Sequence, residues 1–122
     1  MKVLVIEDEP LIRDIYSEFL ELLGHQADVA ANGREGLGRF DPLVHKIVVT
    51  DFLMPGLTGL EIAEAIRARS RTTPVVLISG SAEQPDERRA EQAGLLFLRK
   101  PISFAQFKAT LAAVVEPAGA VQ

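Results

Sequence analysis

Ile47-Val48-Val49-Thr50-Asp51-Phe52-Leu53-Met54-Pro55-Gly56-Leu57-Thr58-Gly59 is the stretch on which the reading of this chain turns. Its β-branched apolar run has the composition of a buried strand. The run ends on a carboxylate, Asp51. Pro55, Gly56 and Gly59 then break it, and a helical pattern follows. In an open α/β sheet, sites form in the crevice beyond the carboxyl ends of the strands. Asp51 is either a reactive or metal-binding carboxylate at that edge, or a turn residue or helix cap. The other strand ends decide between the two.

Upstream, Val3-Leu4-Val5-Ile6 is a continuous apolar run, as expected of a strand buried on both faces. Glu7-Asp8-Glu9 ends it. Pro10 suits the first turn of a helix, and Leu11, Ile12, Ile15, Phe19, Leu22 and Leu23 recur at helical spacing until Gly24. Ala27-Asp28-Val29-Ala30 is a weaker strand with a polar interruption, which suits a sheet edge. Asn32 is placed to cap a second helix that carries Leu37 and Phe40 inward. Gly36 and Gly38 each cost that helix roughly 1 kcal/mol relative to Ala, so it is expected to be the least stable. Asp41-Pro42 ends it.

Downstream, Leu60, Ile62, Ala63 and Ile66 mark one face of a third helix, with Arg67 and Arg69 suited to its C-terminal end. Val75-Val76-Leu77-Ile78 is another buried strand, ending at Ser79-Gly80-Ser81. Pro85 to Ala93 reads as a short polar helix with Ala90 and Ala93 inside, closed by Gly94. Leu95-Leu96-Phe97-Leu98 is a fifth strand, followed by Arg99-Lys100-Pro101. Ser103 is placed to cap a last helix lined by Phe104, Phe107, Leu111, Val114 and Val115, and Pro117 stops it. Strands alternating with helices from end to end imply a parallel sheet covered on both faces, with five strands and five helices. Residues 1–116 form the expected domain and 117–122 a short C-terminal tail.

The 122 residues suit one domain, and 48% hydrophobic content is enough for a core. A net charge of -4 and a pI near 5.2 argue against a domain built to grip nucleic acid phosphates directly. With no Cys there is neither a disulfide framework nor thiolate chemistry. His25 and His45 lie in separate segments, so zinc is not expected. No stretch approaches a membrane span, and the apolar N-terminal run is too short for a secretory signal. A cytoplasmic protein is the expectation.

Four of the five strands end in polar residues: Glu7-Asp8, Asp51, Ser79 and Lys100. Taken singly, the acids could cap a helix, Ser79-Gly80 could be a turn and Lys100 a solvated lysine. In a parallel sheet these ends share one edge, and one shared site explains all four. Three packed carboxylates repel unless a cation joins them. All-oxygen donors favour Mg²⁺ or a similar hard ion. A carboxylate between such an ion and a lysine can act as a nucleophile toward phosphorus. Ser79 offers a hydroxyl to a phosphoryl oxygen.

At these residues the chain resembles a response-regulator receiver domain of two-component signalling, of the stand-alone single-domain type. The matching motifs are Val5-Ile6-Glu7-Asp8-Glu9, Thr50-Asp51-Phe52-Leu53-Met54-Pro55-Gly56, Ile78-Ser79-Gly80 and Lys100-Pro101. The resemblance implies a flavodoxin-like (βα)5 three-layer α/β sandwich with strand order 2-1-3-4-5. It implies that Asp51 is the phosphoacceptor. Asp8, Asp51 and the Leu53 backbone carbonyl would hold Mg²⁺ or Mn²⁺, with Glu7 acting through water. Ser79 and Phe97 would be the switch pair and Lys100 the phosphate-binding lysine, with a cis Lys100–Pro101 bond. The implied partners are a histidine kinase or phosphotransfer protein and a downstream protein target, with the chain a monomer or a weak phosphorylation-dependent dimer. The target would read the surface of the fourth helix, fifth strand and fifth helix, where Arg88, Arg89, Arg99, Gln106 and Lys108 are candidates. No turnover of an external substrate is expected.

Two departures from the family pattern bear on chemistry. Phe97 stands where many members have Tyr, so it lacks a phenol hydrogen bond. Leu53 and Ser81 flank the path of an incoming water, and the Leu53 side chain cannot hydrogen-bond it; a fairly long-lived phosphoryl group is expected. Rival readings fit less well. A haloacid-dehalogenase-type phosphatase would carry a second Asp where this chain has Leu53. A flavodoxin-like electron carrier needs a phosphate-binding loop after the first strand, and here that loop is acidic. A P-loop nucleotidase lacks its motif. The remaining alternative is a phosphate-independent interaction module of the same fold.

Overall fold

Strands that are apolar at nearly every position must be covered on both faces, and the chain folds accordingly. The structure, a computed structural model, describes residues 1–80 and 87–115. Five strands alternate with five helices: β1 (Lys2–Ile6), α1 (Pro10–Leu22), β2 (Gln26–Ala30), α2 (Gly33–Arg39), β3 (His45–Asp51), α3 (Gly59–Arg69), β4 (Val75–Ser79), α4 (Glu87–Gln92), β5 (Leu95–Arg99) and α5 (Phe104–Val115). The strands form one parallel sheet in the order β2-β1-β3-β4-β5. Ser81, the expected start of the fourth helix at Pro85, and the tail from 117 to 122 lie outside the described residues.

Alternation along the strands divides the interior into two cores. Val3, Val5, Ile47, Val49, Val76 and Ile78 face Tyr16 and Leu20 of α1 and Phe107 and Leu111 of α5. Leu4, Ile6, Val48 and Val75 face the other way, toward Ile62, Ala63 and Ile66 of α3 and Phe40 after α2. Among the described residues, no helix is long and apolar enough to cross a membrane.

Local chemistry sets the helix ends. Asn32 Oδ1 accepts the Glu35 N–H at 2.8 Å at the start of α2. Thr58 and Glu61 form a reciprocal capping box on α3, and Ser103 and Gln106 exchange hydrogen bonds in the same way at α5. Gly24 and Gly94 turn the chain after α1 and α4 with φ of 83° and 68°.

Two expectations are corrected. The apolar spacing on α1 picks out Leu11, Ile15 and Leu22, but these point to solvent; Leu11 is 77% and Leu22 74% exposed. Tyr16 and Leu20 are the buried residues, with Ile12, Phe19 and Leu23 packed beside them. The helix has two apolar stripes, and the one containing the Tyr16 ring, stacked 5.9 Å from Phe107, fits the sheet. β3 also starts two residues earlier than its apolar run, at His45. That ring is buried because its Nδ1 accepts the Asp41 N–H at 3.0 Å and its Nε2 donates to Asp28 on β2 at 2.8 Å.

The two α2 glycines differ in what surrounds them. A Cβ on Gly36 would collide with the buried Ile6 side chain, whereas one on Gly38 would meet nothing. Gly38→Ala should therefore stabilise the protein by about 0.5–1 kcal/mol through helix propensity, and Gly36→Ala should destabilise it by about 1–3 kcal/mol through overpacking. Urea denaturation of the two variants checks the opposite signs.

Candidate functional site at the C-terminal edge of the sheet

β2 lies on one side of β1 and β3 on the other, so the strand order reverses between β1 and β3. Their carboxyl ends flank the switch point of the sheet. Glu7 follows β1 directly. Its N–H still bonds the Ala30 carbonyl of β2 at 3.0 Å, and its side chain is 1% exposed. Its Oε2 accepts the Glu9 N–H at 3.1 Å, while Arg13, one turn into α1, donates to the Glu7 carbonyl at 3.0 Å. The N-cap of α1 is Glu9, which makes no side-chain cap bond. The Glu7-Asp8 pair is therefore not a helix cap.

Asp51 is the last residue of β3 and is buried. One carboxylate oxygen from each of Glu7, Asp8 and Asp51 falls within 4.8 Å of the others. Lys100 follows β5; its N–H bonds the Ser79 carbonyl at 2.9 Å, and its Nζ reaches Asp51 Oδ1 at 2.8 Å. The Lys100–Pro101 peptide bond is cis. Ser79, 1% exposed, ends β4. The structure thus gathers Glu7, Asp8, Asp51, Ser79 and Lys100 at one edge.

The electrostatics of the cluster follow from its burial. Desolvation pushes the Glu7 carboxyl up to about 7; the Glu9 N–H opposes the rise, Asp51 and Asp8 add to it, and Lys100 opposes it. Burial also raises the Tyr16 phenol above its ordinary value, with further contributions from the charges of Glu7, Asp51 and Glu9. Among the described residues, the buried Glu7 Oε1 and Ser79 Oγ have no hydrogen-bond partner. Buried polar atoms are normally paired, so both are set to receive something from outside the chain. The oxygen-only donors and the orphaned Glu7 Oε1 fit a hard divalent cation such as Mg²⁺.

Other expected residues take less central places. Leu53 is 60% exposed beside the site, and Phe97 is 40% exposed on β5, opposite Leu77 in the β4–β5 register. Arg88 and Lys108 are exposed. Arg99 Nη1 lies 3.5 Å from the Gly80 carbonyl. Arg89 turns toward α3, where Glu64 takes it at 2.6 and 3.1 Å, and Gln106 is engaged in the α5 cap. The sequence reading assigned nothing to Arg13. An arginine on the first turns of a helix reads as surface charge, and the contact with Glu7 appears only when α1 folds back on the loop.

Comparison with known proteins agrees with this fold. The model of the response regulator receiver domain matches residues 3–112. The chain is 30% identical over 116 residues to the two-component response regulator PhoP of Pseudomonas aeruginosa, covering 94% of this chain and 52% of PhoP. Among solved structures, a response regulator receiver domain protein from Clostridium thermocellum superposes with a TM-score of 0.90 at 26% identity, covering 99% of this chain and 98% of that one. The response regulator TrrA from Thermotoga maritima, in complex with Mg²⁺-BeF, superposes with a TM-score of 0.82 at 30% identity, covering 93% and 97%. The chain spans between 12% and 52% of the length of the first curated relatives that it matches.

The raised Glu7 sets a sign for stability against pH. The folded protein holds a proton on Glu7 up to about pH 7, whereas the unfolded chain releases it near the ordinary value of 4.5. Across that window the native state binds more protons, so Glu7 makes the metal-free protein less stable as pH rises, with no further loss above about 7. Glu7→Gln should remove this slope, and its stability relative to wild type should grow between those two pH values. Denaturant melts at several pH values read it out, and added Mg²⁺ should restore the wild type above pH 7.

Proposed function

The chain belongs to the response regulator receiver domain family, and from that premise we propose that it is a switch charged with a phosphoryl group on Asp51. Receiver domains are signalling modules rather than turnover enzymes. The observation that carries the assignment to Asp51 is its place between Lys100 Nζ, 2.8 Å away, and the Glu7 and Asp8 carboxylates, on the open edge of the sheet.

In the proposed reaction, a carboxylate oxygen of Asp51 attacks the phosphorus of a phosphohistidine on a histidine kinase or phosphotransfer protein. The new O–P bond forms as the P–N bond breaks. The imidazole leaves with the bonding pair and takes a proton from solvent, and Asp51 is left as an acyl phosphate. Asp8, Asp51 and the Leu53 carbonyl would hold Mg²⁺ or Mn²⁺, with Glu7 acting through water. The bound ion would offset the negative charge that carboxylates and phosphoryl group bring together. Lys100 transfers its ammonium from the carboxylate to a phosphoryl oxygen. Ser79 swings its unpaired hydroxyl to another, and Phe97 fills the space that Ser79 leaves.

Taking a two-state equilibrium from 1:99 to 99:1 requires roughly 5.5 kcal/mol. Hydrogen bonds to charged groups contribute about 1.5–3 kcal/mol each; the Ser79 bond is new, whereas the Lys100 bond replaces the one it makes to Asp51, so Ser79 supplies up to about half of that figure. The altered surface is that of α4, β5 and α5, where Arg88, Arg99 and Lys108 face solvent to meet a partner protein. Leu53 gives the phosphoryl group an apolar neighbour that cannot orient an attacking water.

Intact mass after incubation with Mg²⁺ and acetyl phosphate tests the reading. One added phosphoryl group is expected, absent from Asp51→Asn and absent without Mg²⁺. A protein that gains no mass under these conditions, and binds no Mg²⁺, is instead a phosphate-independent module. Leu53→Asn should shorten the lifetime of the adduct several-fold, followed as the decay of the heavier species after the donor is removed.

A further inference from the structure

Thr50 is the one polar residue between Ile47 and Asp51, and it is wholly buried. Its hydroxyl donates to the carbonyl oxygen of Asp51 at 3.1 Å. The same oxygen is approached by Gly59 at the start of α3. A Cβ there would collide with the Asp51 oxygen and with Leu77 Cδ1, and would lie 2.8 Å from Phe52 Cα. Gly59 is not among the glycines with positive φ, so the position calls for the missing side chain and not for a left-handed backbone. Its N–H donates to the Phe52 carbonyl at 2.7 Å, and the Phe52 N–H donates to Ile78 on β4 at 2.8 Å. The Thr58–Glu61 capping box fixes the end of α3 from which Gly59 projects.

We infer that Thr50 and Gly59 are positioning residues, a clamp on the Asp51–Phe52 backbone that sets where the Asp51 carboxylate and the Leu53 carbonyl stand. The inference rests on Asp51 being the phosphoacceptor. Neither residue touches the reacting atoms. Thr50 pins the Asp51 carbonyl from within β3, and Gly59 admits the rigid α3 terminus against its other side. The backbone leaving β3 is held by β4 and α3 at once, before any metal or phosphoryl group arrives. A shift of about 1 Å in such a site costs on the order of 10²-fold in rate. A purely structural role for the buried hydroxyl would show in stability and leave the chemistry alone.

The test compares Thr50→Val, Thr50→Ser and Gly59→Ala with wild type. The readouts are the rate of phosphorylation by acetyl phosphate at saturating Mg²⁺, the Mg²⁺ affinity by calorimetry, and urea denaturation. Thr50→Val keeps the shape of the side chain and removes the donor; it should slow phosphorylation roughly tenfold and weaken Mg²⁺ binding. Thr50→Ser restores the hydroxyl and should recover both to within about twofold on the same scale. Gly59→Ala should slow phosphorylation more than Thr50→Val does. If Thr50→Val matches wild type in rate and Mg²⁺ affinity, whatever its stability, the clamp is overturned. It is equally overturned if Thr50→Ser fails as Thr50→Val does. A wild-type protein that takes no phosphoryl group overturns the phosphoacceptor reading and this inference with it.

Discussion

Everything at the working edge of this molecule depends on the crowding of negative charge around two buried carboxylates. Glu7 and Asp51 are both buried, Asp8 is beside them, and Lys100 is the cation the chain brings to Asp51. A buried carboxylate is costly unless paired. The fold meets part of that cost with the Lys100 ammonium, and part by leaving Glu7 a proton near neutral pH. The remainder is a standing preference for positive charge. An arrangement of this kind is poor as a stabilising element and good as a receptor.

The scaffold carries that cost because the rest of the sheet is cheap to bury. Val3 to Ile6 of β1, Ile47 to Val49 of β3, and Val75, Val76 and Ile78 of β4 each enter one of the two cores. Polar groups elsewhere in the interior are paired locally. His45 bridges the loop before β3 to Asp28 on β2. At the surface, Arg69 of α3 donates to the Leu37 and Phe40 carbonyls while lying over the Phe40 ring. These contacts hold α2 and its following loop to the sheet and to α3 without drawing on the carboxylate edge.

Much of this was legible in the sequence, because strands buried on both faces announce themselves as uninterrupted apolar runs and strand ends in a parallel sheet share one edge. Glu7, Asp8, Asp51, Ser79 and Lys100 could be grouped on that basis alone. What was not legible required knowing which face of an element meets which neighbour. α1 offers two apolar stripes, and only the sheet and Phe107 choose the one with Tyr16 and Leu20. Gly36 looks like a flaw in a helix until Ile6 is placed against it. Thr50 is indistinguishable in sequence from an ordinary β-branched strand residue; its bond to Asp51 is visible only in three dimensions. Arg13 is hidden in the same way.

The edge is assembled from distant parts of the chain: two of its acids follow the first strand, the third ends the third strand, and its lysine follows the fifth. No fragment can hold it. A piece ending before β5 keeps all three carboxylates and loses the ammonium beside Asp51, and a piece lacking β1 keeps the ammonium and loses two of the acids. Ligand capture at this edge is therefore also a report that the last strand has docked. By mass action, whatever binds there draws the whole folding equilibrium toward the finished sheet. Binding at this edge and completion of the fold are thermodynamically linked.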